Sequence, residues 1–303
     1  MNVRYYPGCS LHSTAKEYDL SARAVLSAFG LPILEVRDWN CCGATSAHST
    51  NADLALALAA RNLAQAEQEG ADTVVTPCAA CYSRLKKAAH AMVHSSVSRE
   101  RAEDALGYSF GEIPRVLNLL EFVLAEIGTI AIEKRVARPL NLKLACYYGC
   151  LMLRPQEVTG VTDPENPTML EEIVEALGAR PVRWSYKTEC CGANLSITSS
   201  DVVVKMVAPL LATAIDAGAD ALVTACPLCQ ANLEMRRHAD QHIPVFYFTE
   251  LIGLSMDLPG TRRWLSKHLV SPGPLLARAG PVVRRGWPRR TETQVLAWVW
   301  EAV

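Results

Sequence analysis

Ten of the eleven cysteines in this chain fall into two groups of five that share one pattern. In each group a single cysteine precedes an adjacent pair, and a C-x-x-C motif follows the pair. The intervals between these features are 31 and 35 residues in the first group, and 39 and 34 in the second. The groups are Cys9, Cys41, Cys42, Cys78 and Cys81, then Cys150, Cys190, Cys191, Cys226 and Cys229. This repeat predicts a chain built from two copies of one unit.

The residues beside the cysteines repeat as well. Both cysteine pairs are followed by Gly-Ala, and a Gly-Ala-Asp tripeptide begins eight residues before each C-x-x-C motif. Tyr6-Pro7-Gly8 precedes Cys9, and Tyr148-Gly149 precedes Cys150 with one residue fewer. A duplicated unit of about 150 residues explains all these matches together.

Composition divides the chain into three parts. Half of the 303 residues are apolar, 20% are charged and the net charge is -1, which fits a soluble globular protein. We expect a first unit at 1–139, a second at 140–258 and a C-terminal extension at 259–303. The extension holds eight basic and two acidic residues and four of the six tryptophans. It is interpreted as an appended tail, which either helps to dock a partner or packs on its own core.

Helical and strand patterns alternate along both units. Helices are predicted at 15–29, 52–69, 117–130, 170–177 and 201–217, and strands at 31–36, 73–76, 180–184 and 221–224. Strands separated by helices predict an α/β fold, with two parallel sheets related by pseudo-two-fold symmetry. Ligands of such sheets lie at the carboxyl ends of the strands, which is where the cysteine pairs and the C-x-x-C motifs fall.

The cellular compartment of the chain bears on the chemistry that its cysteines can carry out. The N-terminus MNVRYYPGCS shows no secretory signal, and the apolar run at 117–132 carries Glu121 and Glu126, which argues against a membrane span. We therefore expect a reducing cytoplasm, where clustered cysteines indicate metal or redox chemistry.

Five cysteines per unit exceed what one tetrahedral metal ion needs. Four thiolates suffice for structural zinc or for a cubane iron–sulfur cluster, so an adjacent pair favours a larger cluster. A thioredoxin-like dithiol and a zinc site remain open, but both leave the pairs unexplained. Cys146 is interpreted as a packed core thiol. The histidines that do not repeat between the units are expected not to be ligands: His12, His48, His238 and His242.

The segments YYPGCSLHSTAKEYDLS, DWNCCGAT, CYYGCLMLRP and TECCGAN resemble the CCG-domain family, in particular the B-type subunit of heterodisulfide reductase and its bacterial relatives. The resemblance covers residues 3 to 255. It implies two non-cubane 4Fe–4S clusters, each held by one of the groups of five cysteines. It also implies a C-type iron–sulfur subunit and a flavin-containing A-type subunit as partners. The chain lacks the ferredoxin-type motif that related proteins add, which favours a stand-alone B-type subunit.

The activity that the resemblance implies is making or breaking a disulfide, or a related sulfur bond of a thiol carrier, between the two clusters. The alternative is an electron-transfer subunit of a flavoprotein dehydrogenase that touches no thiol. A set of cations near the motifs could bind an anionic thiol or simply be solvated at the surface. These cations are Arg4, Lys16, Arg84, Arg154 and Lys187.

Overall fold

Two four-stranded parallel sheets form the framework of the protein. A computed structural model describes residues 2–44 and 47–278. Within these residues the strand orders are β2-β1-β3-β4 and β6-β5-β7-β8, so the two sheets repeat one topology. The strands are β1 (Val3–Tyr5), β2 (Leu34–Glu35), β3 (Thr73–Thr76), β4 (Arg115–Asn118), β5 (Lys143–Tyr147), β6 (Arg180–Pro181), β7 (Ala221–Thr224) and β8 (Val245–Tyr247). The predicted α/β fold with parallel sheets is confirmed.

Helices connect the strands and cover the sheets. The helices are α1 (Gly8–His12), α2 (Lys16–Ala28), α3 (Ala47–Thr50), α4 (Ala52–Gln68), α5 (Ala79–His94), α6 (Ser96–Leu106), α7 (Leu119–Glu126), α8 (Gly128–Lys134), α9 (Gln156–Thr159), α10 (Met169–Ala176), α11 (Ser200–Asp216), α12 (Pro227–Met235), α13 (Phe248–Ser255), α14 (Thr261–Leu265) and α15 (Gly273–Arg278). A short 3₁₀ helix spans Ala193–Leu195. The predicted helices at 52–69 and 201–217 agree with α4 and α11 to within one residue at each end.

Strands β3 and β7 match their predicted bounds, whereas β2 and β6 are shorter than predicted, and β1, β4, β5 and β8 were not predicted as strands. All four residues of β3 and of β7 are buried, as expected for β-branched and apolar runs between two neighbouring strands. Strands β2 and β6 each pair with a single neighbour and keep only two residues of the predicted 31–36 and 180–184. Pro181 has no backbone N–H to donate, which restricts β6 to an edge position.

The apolar run predicted as a helix at 117–130 is divided between three elements. Its first two residues belong to β4, which pairs in parallel with β3. Asn118 then caps α7: its side-chain Oδ1 accepts a hydrogen bond from the backbone N of Glu121 at 2.9 Å, and the carboxylate of Glu121 accepts one from the backbone N of Asn118. Apolar residues at the start of a run do not show by themselves whether it is strand or helix, and the start of the predicted helix was wrong.

Side chains from both units meet in one interface. The ring of Tyr18 on α2 stacks on Tyr247 of β8 with centroids 4.1 Å apart, and its hydroxyl donates to the carbonyl of Ala225 at 3.1 Å. The hydroxyls of Ser21 and Thr249 are 2.7 Å apart in the same buried contact. Helices α2 and α13 therefore join the two units.

The described part of the C-terminal extension packs on helices of both units, with α14 against α2 and α13. Trp264 on α14 is buried against Gly253, where an added Cβ would lie 2.6 Å from the indole. His268 is enclosed, with Nδ1 3.1 Å from Glu234 and Nε2 3.0 Å from Glu250. Residues 279–303 lie outside the described residues, so the domain boundary at 259 and the docking role of the tail stay predictions.

A charged His268 predicts a specific pH dependence of stability. Burial alone would lower the pKa of His268, but the hydrogen bonds that its ring donates to the carboxylates of Glu234 and Glu250 outweigh burial and raise the pKa to about 10. Because the folded pKa exceeds the unfolded value of about 6.5, its contribution is complete below that pH and is lost as pH rises toward 10. His268→Gln leaves two buried carboxylates without their cation, so we expect it to lower the free energy of unfolding by about 3 kcal/mol at pH 6.

The measurement is urea denaturation at several pH values. The difference between wild type and His268→Gln should shrink between pH 7 and pH 10. His242→Gln, at an exposed histidine, serves as the control and should leave the pH profile unchanged. A difference that stays constant over this range would contradict a protonated His268.

Candidate metal centre

Three adjacent strands deliver the cysteines of each group to one edge of a sheet. In the first unit Cys9, the pair at Cys41 and the motif at Cys78 follow β1, β2 and β3. In the second unit the same features follow β5, β6 and β7. Carboxyl ends of neighbouring parallel strands lie side by side, so cysteines distant in sequence come together. Strands β4 and β8 lead to no cysteine.

The two groups make the same sulfur–sulfur contact. Sγ of Cys42 lies 3.4 Å from Sγ of Cys81, and Sγ of Cys191 lies 3.4 Å from Sγ of Cys229. Each contact joins the second cysteine of a pair to the second cysteine of a C-x-x-C motif. All eleven cysteines are free thiols. The duplicated spacing therefore produces duplicated geometry.

A cavity opens at the second group, and all five of its cysteines line it. Ala79 and Ala80, from the C-x-x-C turn of the first unit, line the same cavity. Leu228, from the C-x-x-C turn of the second unit, packs in return against the core of the first unit. Each turn therefore contacts the other unit.

The C-x-x-C turns also touch through sulfur. The thiols of Cys78 and Cys226 interact directly, and both residues are buried. The pKa of Cys226 lies well below its usual value because its sulfur accepts hydrogen bonds from Cys229 and from Cys78. The pKa of Cys78 is raised, and its interaction with Cys226 is the largest cause. The two cysteine groups thus approach each other at this pair.

Crowding divides the thiols of each group into proton donors and acceptors. Hydrogen bonds from Cys41 and Cys81 lower the pKa of Cys42 to about 3, and an interaction with Cys150 lowers that of Cys190 to about 6. The pKa of Cys81 is raised, chiefly by its interaction with Cys42. Neighbouring thiolates in a buried site repel each other, so a full set of deprotonated ligands needs a cation among them.

The donor set fits an iron–sulfur cluster. Soft thiolate ligands select iron–sulfur clusters, zinc and copper(I), and five thiols around one cavity exceed the number that a single tetrahedral ion takes. Within residues 2–44 and 47–278, no three or more Cys, His, Asp or Glu side chains are grouped so as to hold one metal ion.

A tyrosine in each unit anchors the cysteine pair, and sequence reasoning missed this role. The hydroxyl of Tyr6 donates to the carbonyl of Asn40 at 2.7 Å, and that of Tyr147 donates to the carbonyl of Glu189 at 2.7 Å. Each accepting residue comes directly before a pair. The equivalent of Tyr6 is therefore Tyr147 and not Tyr148, and no residue is missing from the second unit. Four cysteines of the same group interact electrostatically with each of these tyrosines.

Glycines on both sides of the motifs allow close packing. Gly8 has φ +71°, and an added Cβ would lie 2.8 Å from Sγ of Cys81. The amide of Gly43 donates to Sγ of Cys41 at 3.4 Å, while its missing Cβ makes room for Leu58 of α4. The glycine before the single cysteine therefore faces the sulfurs, and the glycine after the pair faces a helix.

Cys146 lies apart from the cysteine groups. It is fully buried on β5, where its pKa is raised by burial and by nearby Glu171. It is absent from the residues that line the cavity at the second group. This placement agrees with a packed core thiol.

Most of the cations near the motifs are already paired. Three of the five that the sequence indicated form ion pairs: Arg4 with Glu69, Arg154 with Glu165 and Lys187 with Glu171. Lys16 is exposed and Arg84 is half-buried. Lys87, which was not among the five, lies one helical turn beyond Arg84 on α5. The sequence signal that could have added Lys87 to this set is its spacing: it follows Arg84 by three residues and so lies on the same helix face.

Comparison with known families decides the identity of the duplicated unit. The CCG family, described as a cysteine-rich domain, matches residues 3–86 and 144–234, which together make up more than half of the chain. The chain belongs to the CCG cysteine-rich domain family. Both matched segments contain a complete group of five cysteines, and the resemblance seen in the sequence is confirmed.

Curated relatives of this CCG protein include two kinds of reductase component. It is 32% identical to the 8-methylmenaquinol:fumarate reductase membrane anchor subunit of Wolinella succinogenes, over 88% of this chain and 96% of that protein. It is 27% identical to the B-type subunit of a ferredoxin:CoB-CoM heterodisulfide reductase of Methanosarcina mazei, over 89% of this chain and 94% of that protein. It is also 27% identical to the B-type subunit of a ferredoxin/F(420)H(2)-dependent CoB-CoM heterodisulfide reductase of Methanosarcina acetivorans. That match covers 83% of this chain and 88% of that protein.

These relatives support an iron–sulfur subunit similar to the B-type subunit of heterodisulfide reductase. The two Methanosarcina relatives belong to reductases, and an "uncharacterized iron-sulfur protein" of Methanococcus maripaludis is 26% identical over 86% of this chain and 44% of its own. An oxidoreductase role and iron–sulfur clusters are therefore supported for the CCG protein. No helix in the described residues has the length and apolar character needed to cross a membrane.

A solved structure shares the fold. The crystal structure of a hypothetical protein from Helicobacter pylori matches with a TM-score of 0.67 at 11% identity. The match covers 89% of this chain and 52% of that chain, so the CCG protein spans about half of its length. At this identity the likeness concerns the fold alone.

Gly8→Ala tests whether the left-handed glycine makes room for the sulfurs. The new Cβ would displace Sγ of Cys81, so we expect iron bound by the first group to fall by about half or more. Gly30→Ala is the control, because φ at Gly30 is +75° and nothing lies within 4 Å of its added Cβ. Both variants strain the backbone by about 1–2 kcal/mol, but only the first meets a sulfur. Iron and acid-labile sulfide are measured per chain, and equal losses in both variants would refute the steric explanation.

Proposed function

We propose that the chain makes or breaks a disulfide, or a related sulfur bond of a thiol carrier, as the B-type subunit of a multi-subunit oxidoreductase. The observation that carries the proposal is the pair of matched cysteine sites that meet at Cys78 and Cys226. Similarity to the B-type subunits of heterodisulfide reductases over most of the chain supports it. The physiological role would then lie in sulfur metabolism.

Each cysteine group would hold one non-cubane 4Fe–4S cluster. The proposed ligands are Cys9, Cys41, Cys42, Cys78 and Cys81 for the first, and Cys150, Cys190, Cys191, Cys226 and Cys229 for the second. When bound, the two clusters would each supply one of the two electrons that cleavage of a disulfide needs.

Exposure within the groups gives each site an open side and a closed side. Cys9, Cys41 and Cys190 are exposed, whereas Cys78 and Cys226 are buried. The exposed cysteines leave an approach for a small sulfur compound. The buried pair keeps water away from the contact between the two groups.

Partners are needed because electrons must reach the two sites. We propose that a C-type iron–sulfur subunit is the direct donor and that a flavin-containing A-type subunit supplies it in turn, in the cytoplasm. The two Methanosarcina relatives are named as parts of ferredoxin-linked reductases, which supports a multi-subunit assembly.

Metal analysis tests the two clusters. The full chain purified without oxygen should contain about eight irons together with acid-labile sulfide. Cys81→Ser and Cys229→Ser should each remove about half of the iron, because each changes one group. Cys146→Ala is the matched control and should keep the full content. One or two zinc ions without sulfide would overturn the proposal.

The second candidate is an electron-transfer subunit that takes no thiol. Similarity to a component of a fumarate reductase, at 32% identity over 88% of the chain, favours this reading. In this case the cysteine sites would pass electrons between a flavoprotein dehydrogenase and its acceptor. The same ten cysteines would be needed.

Electron paramagnetic resonance with an added thiol separates the two candidates. If a thiol reaches the site, 2-mercaptoethanol added to the oxidised protein should produce a new paramagnetic signal. Ethylene glycol, the same molecule with oxygen in place of sulfur, is the control and should produce none. A spectrum that 2-mercaptoethanol leaves unchanged would favour the electron-transfer role.

A further inference from the structure

We propose that the carboxylate of Glu17 takes up a proton when an electron reaches the second cysteine group. One electron enters the metal centre and one proton from water binds the carboxylate, and both leave when the centre is oxidised again. The inference rests on a redox-active cluster at the second group, but it holds for either of the two proposed functions. Glu17 lies on α2, which packs against α13 and α14 where the two units meet.

Three carboxylates share one cation around Glu17. The ring of His268 lies 3.1 Å from Glu234 and 3.0 Å from Glu250, and its pKa of about 10 keeps it positively charged at neutral pH. Glu17 interacts with all three of these side chains but forms no ion pair within residues 2–44 and 47–278. When Glu17 is ionised, three negative charges therefore face one positive charge in a buried cluster. A proton on Glu17 relieves this imbalance.

Burial favours the protonated form of Glu17. Burial is the main cause that raises the pKa of this carboxyl group, and the charge of Glu250 raises it further. The positive charge of His268 opposes the rise but is already shared with two carboxylates. Glu17 is nevertheless 8% exposed, so a proton can reach it from water.

Other charged side chains on the helices around Glu17 balance each other or face water. Asp19 and Arg23 on α2 form an ion pair with each other. The remaining charged or titratable groups on α1, α2 and α14 are exposed, and solvent weakens their influence. They are His12, Lys16, Arg262 and Arg263. The buried carboxylates and His268 therefore set the charge state of Glu17.

Two stacked tyrosines connect Glu17 to the place where the cysteine groups meet. Tyr18, the next residue on α2, stacks on Tyr247 and donates to the carbonyl of Ala225, directly before Cys226. Cys226 interacts electrostatically with both tyrosines, and Glu17 acts on Tyr247 more strongly than any other charge does. Buried rings screen charge weakly, so an electron added at the second group raises the proton affinity of Glu17.

The first unit has a different charge balance at the equivalent positions. Lys86 and Glu234 each come five residues after the second cysteine of their C-x-x-C motif. Glu121 and Glu250 each complete the capping box of a helix. In the first unit the positive charge of Lys86 therefore acts on Glu121, whereas in the second unit both residues are acidic and share His268. We expect the coupling at the second group, and the first group serves as an internal comparison.

Redox titration of the iron-loaded full chain tests the coupling, with electron paramagnetic resonance as the readout between about pH 5 and pH 9. Cys81→Ser, which changes the first group, identifies the signal of the second. In the wild type the midpoint potential of the second centre should become more negative as pH rises, because ionised Glu17 opposes the added electron. Glu17→Gln should remove this dependence and keep the potential near the wild-type value at low pH. Glu17→Asp, which retains a carboxylate, should restore the dependence.

Two further measurements separate proton uptake from a structural effect. Glu126→Gln removes a carboxylate at an exposed position of α7 and should leave the pH profile unchanged. Infrared difference spectra of reduced minus oxidised protein should show the C=O band of a protonated carboxylic acid in the wild type but not in Glu17→Gln.

The outcomes distinguish the coupling from the proposed function. A midpoint potential that is independent of pH in the wild type, or a dependence that survives in Glu17→Gln, would overturn the coupling while the metal centres stand. Absence of any reducible signal from the second group would instead overturn the proposed cluster, and the coupling with it.

Discussion

Parallel pairing of three adjacent strands is the constraint on which both cysteine sites depend. Strand β1 hydrogen-bonds to β2 on one side and to β3 on the other, and β5 does the same with β6 and β7. Because all three strands run in one direction, their following loops emerge at one edge. Cysteines that are more than 30 residues apart therefore become neighbours without any disulfide.

Local anchors then fix the loops that the strands deliver. The hydroxyls of Tyr6 and Tyr147 hold the residue before each cysteine pair, and left-handed glycines admit the sulfur of the C-x-x-C motif. Both kinds of anchor occur in each unit, as the five cysteines do. Differences between the units lie elsewhere: helix α6 extends the first unit, and the buried His268 closes the second.

The fold class and the helices α4 and α11 could be predicted from the sequence, because capping residues and apolar periodicity are local signals. Strand β4 was missed, since an apolar run satisfies both strand and helix until its pairing partner is known. The ten cysteines as ligands stay a prediction. The role of Tyr6 was not predicted, because it depends on a carbonyl that only the tertiary structure brings near its hydroxyl.

The two C-x-x-C turns have a consequence for how such a chain could arise. Ala79 and Ala80 of the first unit form part of the wall around the second cysteine group, and Leu228 packs in the opposite direction. A single unit would leave this wall open and would need a second copy of itself to close it, as in a two-fold homodimer. Fusion of two copies into one chain turns that association into an intramolecular one that dilution does not weaken. It also lets the sequence of each half change independently, whereas the two identical chains of a homodimer always change together.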